Sequence, residues 1–564
     1  MPEGMKPGVT YFAETDFRAR RTRFGIKDLD RARHVYVIGK TGMGKSTALE
    51  NMAIQDIQHG NGIAFMDPHG STADKLLDYV PPERIKDVIY FAPFDLEHPI
   101  SFNVMEDVGK DHRYLVANGL MSAFKKIWVD AWSARMEYIL SNTLLALLEY
   151  PDATLLGVNR MLSDKDYRRK VVNNISDPAV RSFWVDEFAK YTERQAAEAV
   201  PAIQNKVGQF TSNPLIRNII GQSRSSLDFR RMMDEKKILI INLSKGRLGE
   251  GNANLLGSML ITKLYLTAMS RANISGAELR ILPPFYFFVD EFQSFANESF
   301  ANILSEARKY KLSLTIAHQY IEQMAEEVRA AVFGNVGSII TFRVGPFDAE
   351  VLEKIFFPTF TKEDLVNLGF AQVYLTLMID GVGSPPFSAI TLPPFPLLQE
   401  SRRDEIIEHS RRTYSQPRAI VEQEIAKWHS EASFPAVASG SGPAPAPKLP
   451  TPAPSVLPRP NSNPTPTSVR TVPPVDKSPR IAVSLAALRP TPGSSGRRMV
   501  SETEKVKSKE DLRKSLEQIM LKAKPANSNP APAPVHVATP NSQPKPASGG
   551  EVSREVLENL LKSK

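Results

Sequence analysis

The sequence predicts an α/β fold: a largely parallel sheet with helices around it, an all-α segment inserted into it, and a disordered tail. Three observations predict this. Short apolar runs recur through residues 34–378 with helical stretches between most of them, the pattern of strands buried on both faces. Residues 105–231 read as helices with no strand evident. Beyond residue 434, Pro, Ala, Ser and Thr dominate, and about half of the 44 prolines lie there.

Residues 1–30 read as an N-terminal arm whose basic cluster is Arg18, Arg20, Arg21 and Arg23. Residues 31–104 form the first part of the α/β domain, with strands expected at 34–38, 62–66 and 88–91. The inserted all-α domain spans 105–231, with helices at 134–148, 193–212 and 215–221. Residues 232–400 complete the α/β domain, with strands at 237–243, 285–289, 312–317, 338–344 and 372–378. A helical extension follows at 401–434.

Residues 435–564 form the disordered tail, because proline lacks the N–H that ladders and helices need and few large apolar groups remain to offset ordering entropy. Apolar islands at 481–488, 508–522 and 552–561 interrupt it; the last two have a capping serine and one apolar face. They are partner-docking segments or nascent helices without a partner.

The chain has no cysteine, which excludes disulfides, thiolate zinc sites and cysteine nucleophiles. Its net charge of +8 suits an anionic partner without demanding one. The first 16 residues lack the apolar core of a signal peptide. The longest apolar runs, 255–269 (broken by Lys263) and 281–289 (ended by Asp290), fall short of the roughly 18 residues a membrane span needs. The reading is a cytoplasmic protein that can dock peripherally at the inner face of the membrane through partners.

The apolar run 34–38 leads into Gly39-Lys40-Thr41-Gly42-Met43-Gly44-Lys45-Ser46-Thr47, and a helical stretch follows. This is the phosphate-binding loop in its strand–loop–helix context. Glycines let backbone N–H groups curl around a phosphate, and the helix N-terminus adds positive dipole. Lys45 is expected on the β- and γ-phosphates of ATP, the Ser46 hydroxyl on Mg²⁺, and Thr47 near the α-phosphate. The run 285–289 ends in Asp290-Glu291. Asp290 is expected to hold the Mg²⁺ shell and Glu291 to polarise the attacking water, which marks hydrolysis rather than binding alone. Asp67 closes another strand, as a ligand contact or a turn cap. Arg308 precedes the strand 312–317 and is either an arginine finger for a neighbouring subunit or a solvated cation. Arg343 is a weaker finger candidate.

Several blocks together carry a resemblance: Glu14-Thr-Asp-Phe-Arg18, Phe24-Gly-Ile-Lys27, the phosphate loop, Asp67-Pro-His-Gly70, Ile100-Ser-Phe-Asn103, Asp290-Glu-Phe292, Glu306-Ala-Arg-Lys-Tyr-Lys-Leu-Ser-Leu-Thr-Ile-Ala-His-Gln319, and Gly337-Ser-Ile-Ile-Thr-Phe-Arg-Val-Gly345. Over residues 10–400 the chain resembles the HerA/FtsK superfamily of P-loop ATPases, and within it the TraG/TraD-type coupling proteins of type IV secretion and conjugation. The resemblance implies a RecA-like motor with an all-α insertion between its two acid- and phosphate-binding motifs. It also implies a ring, typically hexameric, around sequence-nonspecific DNA. Gln319 falls where such ATPases place a polar residue that senses the γ-phosphate, and Arg308 where they place the finger. Coupling proteins usually begin with transmembrane helices, which this chain lacks. It therefore either meets secretion-channel or relaxase-like proteins through the all-α domain or tail, or is a soluble translocase. The expected function is an ATP-driven DNA translocase of the coupling-protein type. The alternatives are a HerA-like helicase or translocase in repair or chromosome processing, and a substrate-recruiting adaptor.

Direct signs of DNA binding are thinner. Lys165, Arg168, Arg169 and Lys170 form a second basic cluster, which neutralises phosphates or is simply solvated. Trp128, Trp132 and Trp184 are expected in the core of the insertion rather than stacked on bases.

Overall fold

A computed structural model of the chain describes residues 8–430, apart from 17–19, 107–108, 129–131, 297 and 398–399. The tail 435–564 and its three islands lie outside the described residues.

The thirteen strands are β1 (Val9–Thr15), β2 (Arg23–Lys27), β3 (Val35–Ile38), β4 (Gly62–Asp67), β5 (Val88–Phe91), β6 (Ile238–Asn242), β7 (Phe285–Val289), β8 (Leu312–His318), β9 (Ser338–Thr341), β10 (Gln372–Thr376), β11 (Met378–Ile379), β12 (Val382–Gly383) and β13 (Phe387–Thr391). Eleven of them make one sheet in the order β2-β1-β13-β10-β9-β3-β8-β7-β4-β6-β5, and β11 and β12 pair as a short ribbon. From β9 to β5 all neighbours are parallel. The other end of the sheet is antiparallel.

The parallel strands are apolar on both sides because both faces are covered. Val35 and Val37 pack with Leu49, Met52 and Ile54 of helix Lys45–Gln58 on one face. Tyr36 and Ile38 point into a second cluster on the other face. Each such large apolar side chain removed from water contributes about 1.5–3 kcal/mol.

The second cluster runs without a break into the helices between the two halves of the sheet, reaching Leu140, Val158 and Ile203. No strand occurs at 105–231 among the described residues. Helix Arg113–Ile127 lies so close to helix Glu250–Met269 that a side chain at Gly119 would meet Thr262 Cγ2 at 2.5 Å. Trp184 is buried, whereas Trp128 and Trp132 are half-buried against each other, Trp128 also meeting Phe210, with Lys206 over both rings.

Helices Arg403–Tyr414 and Arg418–Ser430 tie the two regions together. Ser410 Oγ accepts from the β5 backbone N–H of Tyr90 at 2.9 Å. Val421 and Ile425 pack on Leu156 of the inserted segment.

One expectation is corrected. Within the N-terminal arm expected at 1–30, Val9–Thr15 and Arg23–Lys27 are strands of the sheet: they form an antiparallel pair at its edge, and β1 also pairs with β13. Phe12 and Ile26, fully buried, draw the segment onto the core. The strand expected at 338–344 stops at Thr341. Beyond it the backbone serves the phosphate loop instead, with Arg343 O accepting from Lys40 N–H at 2.8 Å. Among the described residues no helix is long and apolar enough to cross a membrane.

Candidate active site

Sheet order decides which loops meet. The loop after β3 begins at Gly39, the turn after β7 begins at Asp290, and β8 lies between them, followed by Gln319. Parallel register brings the three ends to one edge, since Ile38 lies opposite His318 and Val289 opposite Ile316. Ligand crevices of parallel α/β sheets form outside these carboxyl ends.

The phosphate loop needs its glycines for two reasons. Gly44, at the N-terminus of helix Lys45–Gln58, has φ 115°, which L side chains rarely adopt. At Gly39 a Cβ would lie 2.5 Å from Phe342 Cβ. The loop thus presents bare backbone at a helix N-terminus, a cradle for an anion. Lys45 is buried, and its Nζ donates to the carbonyls of Gly39 at 2.6 Å and Lys40 at 3.2 Å. Burial pushes the Lys45 ammonium down from its ordinary range, and the nearby Glu291 and Asp290 carboxylates push it back.

Ser46 Oγ donates to Asp290 Oδ2 at 2.8 Å. Burial raises the Asp290 carboxyl; the Ser46 hydrogen bond opposes this, while Glu291 and Asp67 add to it. Ser46 and Asp290 form an all-oxygen donor pair beside the anion cradle, which fits a hard cation such as Mg²⁺.

Glu291 takes left-handed backbone, φ 47° and ψ 48°. For a residue with a Cβ this costs on the order of 1–2 kcal/mol, and such strain gathers at functional sites. The turn is held by Glu291 N–H donating to Asp290 Oδ1 at 2.9 Å. The Glu291 carboxylate accepts from two amides. Gln319 Nε2 donates to Oε1, and Gln293 Nε2 donates to Oε2 at 2.7 Å. Gln319 Oε1 in turn accepts from Thr41 Oγ1 at 3.0 Å. A chain of side-chain hydrogen bonds therefore runs from the phosphate loop to the acidic turn. Sequence reading missed Gln293; the available signal was an amide two residues after Glu291.

The remaining expected residues separate. Asp67 is a turn cap: its oxygens accept from the backbone N–H groups of His69, Thr72 and Ala73. Arg343 adjoins its own phosphate loop through its backbone carbonyl. Arg308 is exposed, and among the described residues its side chain makes no hydrogen bond or ion pair. Its charge is felt instead at His34, whose imidazole is pushed down to about 4 by burial above all, with a backbone hydrogen bond at Leu304 opposing and Arg308 reinforcing. His34 precedes β3 and Gly39 follows it, about 16 Å apart at the strand's rise. Arg308 thus lies at the opposite end of the parallel strands from its own phosphate loop.

Of the basic clusters, Arg20 and Arg21 are exposed beyond β1, and Arg23 pairs with Glu14 at 3.0 Å. Arg169 pairs with Asp166, Arg168 donates to Met161 O, and Lys165 and Lys170 are exposed.

Residues 5–337 match the family described as type IV secretory system conjugative DNA transfer. The chain belongs to this family. Among solved structures this family member is similar to the plasmid coupling protein TrwB in complex with the non-hydrolysable GTP analogue GDPNP, at 14% identity and a TM-score of 0.51, covering 71% of this chain and 98% of that one. TrwB in complex with ADP and Mg²⁺ gives 14% identity, a TM-score of 0.50 and the same coverage. VirB4 of Thermoanaerobacter pseudethanolicus gives 12% identity and a TM-score of 0.48, covering 70% of this chain and 98% of that one. At such identities the TrwB likeness is one of fold. A search of curated proteins returns no match.

Proposed function

We propose that the chain hydrolyses MgATP to drive DNA through a ring of its own copies during conjugative transfer. The observation that carries the hydrolysis is the chain Thr41–Gln319–Glu291, which links a phosphate cradle to a carboxylate held beside a Ser46–Asp290 oxygen pair. The family match and the TrwB structures with GDPNP and with ADP and Mg²⁺ support nucleotide and DNA as its ligands.

In this reading the N–H groups of 39–47 and the Lys45 ammonium bind the phosphates, leaving their carbonyl partners as the nucleotide enters. Ser46 and Asp290 hold Mg²⁺, which when bound neutralises charge on the phosphate oxygens. Glu291 takes a proton from the attacking water. Gln319, joined to both Thr41 and Glu291, transmits the state of the phosphate loop to the acidic turn. Arg308, exposed and remote from its own loop, serves the site of the neighbouring subunit. A ring supplies such a head-to-tail contact. The exposed basic residues take DNA by its phosphates, without sequence preference.

The test is Glu291→Gln in the full chain. It keeps the shape of the side chain and removes the base. It should bind MgATP as the wild type does and lose turnover by at least about 100-fold. Undiminished turnover would remove Glu291 from its role.

A further inference from the structure

Gln293 has no part in the mechanism above, yet its side chain is committed at one end and open at the other. Its Nε2 donates to Glu291 Oε2 at 2.7 Å. Its Oε1 is buried and accepts no hydrogen bond among the described residues. The orientation of this amide follows from chemistry, because an ionised carboxylate only accepts, so the NH₂ must face Glu291. Oxygen and nitrogen of one amide are about 2.2 Å apart, so Oε1 lies within about 5 Å of the Glu291 carboxylate. A buried carbonyl without a donor is costly, by about 1–3 kcal/mol, and such a group in a native fold calls for an explanation.

We propose that Gln293 completes the site of the attacking water, its N–H end fixing Glu291 and its carbonyl end accepting a hydrogen bond from the second water O–H. This rests on Glu291 being the base. A water molecule has two O–H donors. One faces Glu291, which takes that proton as the water oxygen bonds to the γ-phosphorus and the bond to the β,γ-bridging oxygen breaks, its electron pair leaving with ADP. The other O–H needs an acceptor on the same side, or the water turns away from the in-line position. Gln319 Oε1 is already turned to the phosphate loop, where it accepts from Thr41 Oγ1, whereas Gln293 Oε1 has both lone pairs free among the described residues. The Gln293 carbonyl is buried, unclaimed and anchored to the base itself. The two glutamines then divide the work: Gln319 ties the base to the phosphate loop, and Gln293 ties the base to the water.

The experiment compares Gln293→Met, Gln293→Glu and Glu291→Gln in the full chain, measuring ATP affinity, kcat across pH and thermal midpoint. Gln293→Met keeps the length and removes both hydrogen-bonding ends. It should lower kcat about 10-fold or more with KM for ATP changed less than about threefold. Gln293→Glu puts a second carboxylate against Glu291. Two such groups resist ionising together, so the acidic limb of the kcat profile should move up by about one unit or more. A purely structural role would lower the thermal midpoint of Gln293→Met and leave its kcat, measured well below that midpoint, at the wild-type value. The proposal is overturned if Gln293→Met hydrolyses ATP within about twofold of wild type, or if Gln293→Glu leaves the limb unmoved, while Glu291→Gln is inactive. Should Glu291→Gln itself turn over, it is the reading of Glu291 that fails.

Discussion

Ser46 and Asp290, 244 residues apart in the chain, share a 2.8 Å hydrogen bond at the edge of the sheet. Asp290 is almost wholly buried, and desolvation raises its carboxyl. The folded state therefore holds this proton to higher pH than the unfolded chain. By linkage, the contribution of Asp290 to stability falls as pH rises from about 4 through the folded value. Asp290→Asn should accordingly raise the melting temperature at pH 7 while lowering Mg²⁺-dependent ATP turnover by about 100-fold or more. Calorimetry and steady-state hydrolysis on the same sample check both halves.

Arg308 precedes β8, which runs parallel to β3, and so lies at the far end of the strands from its own phosphate loop. Arg308→Ala should bind ATP normally and lose turnover by about 10³-fold, the usual effect of removing a finger. Arg343→Ala should change it far less. Mixing Arg308→Ala with Glu291→Gln subunits should recover activity that neither has alone, because intact Arg308 from one serves intact Glu291 in the other. Failure of the mixture to recover would argue against action between subunits.

Two buried histidines give the fold an acid limit. Burial pushes His34 down to about 4 and His318 down to about 3, further lowered at His318 by Lys45 and Lys126. Unfolded, both titrate near 6.5, so below that pH the unfolded chain binds more protons and stability is lost as pH falls. Each should remove about 2 kcal/mol between pH 6.5 and 5. Urea unfolding at a series of pH values measures the slope. His318→Gln, which keeps an acceptor for the Tyr36 hydroxyl, should reduce proton uptake in that window by about one.

The ion pair Arg31–Asp56 is buried and bidentate, at 2.9 and 2.8 Å, with Arg31 also donating to Thr10 Oγ1 and stacked 3.8 Å above the Tyr286 ring. Asp56→Ala leaves the guanidinium buried without its counter-charge and should cost about 3–5 kcal/mol. Chemical denaturation checks this, and a loss below about 1 kcal/mol would contradict it.

The parallel half of the sheet was legible because strands covered on both faces become continuous apolar runs such as Phe285–Val289. Of the antiparallel edge only β10 was legible. β1, β2 and β13 mix polar with apolar residues, and β13 lies between prolines. The phosphate loop and Asp290-Glu291 were legible because their chemistry demands fixed residue types next to each other. The links Thr41–Gln319 and Gln293–Glu291 were not, since they depend on β8 lying between β3 and β7 and on the left-handed turn at Glu291. No local pattern encodes that neighbour order. Arg308 was visible as a cation, but its separation from its own loop needed the strand direction.

The most direct test of the central claim is steady-state ATP hydrolysis by the full chain without DNA, with single-stranded DNA and with double-stranded DNA, at fixed salt. The account predicts Mg²⁺-dependent hydrolysis that DNA of at least one form accelerates, independently of its sequence and less strongly as salt rises. A rate unchanged by DNA of either form would contradict it.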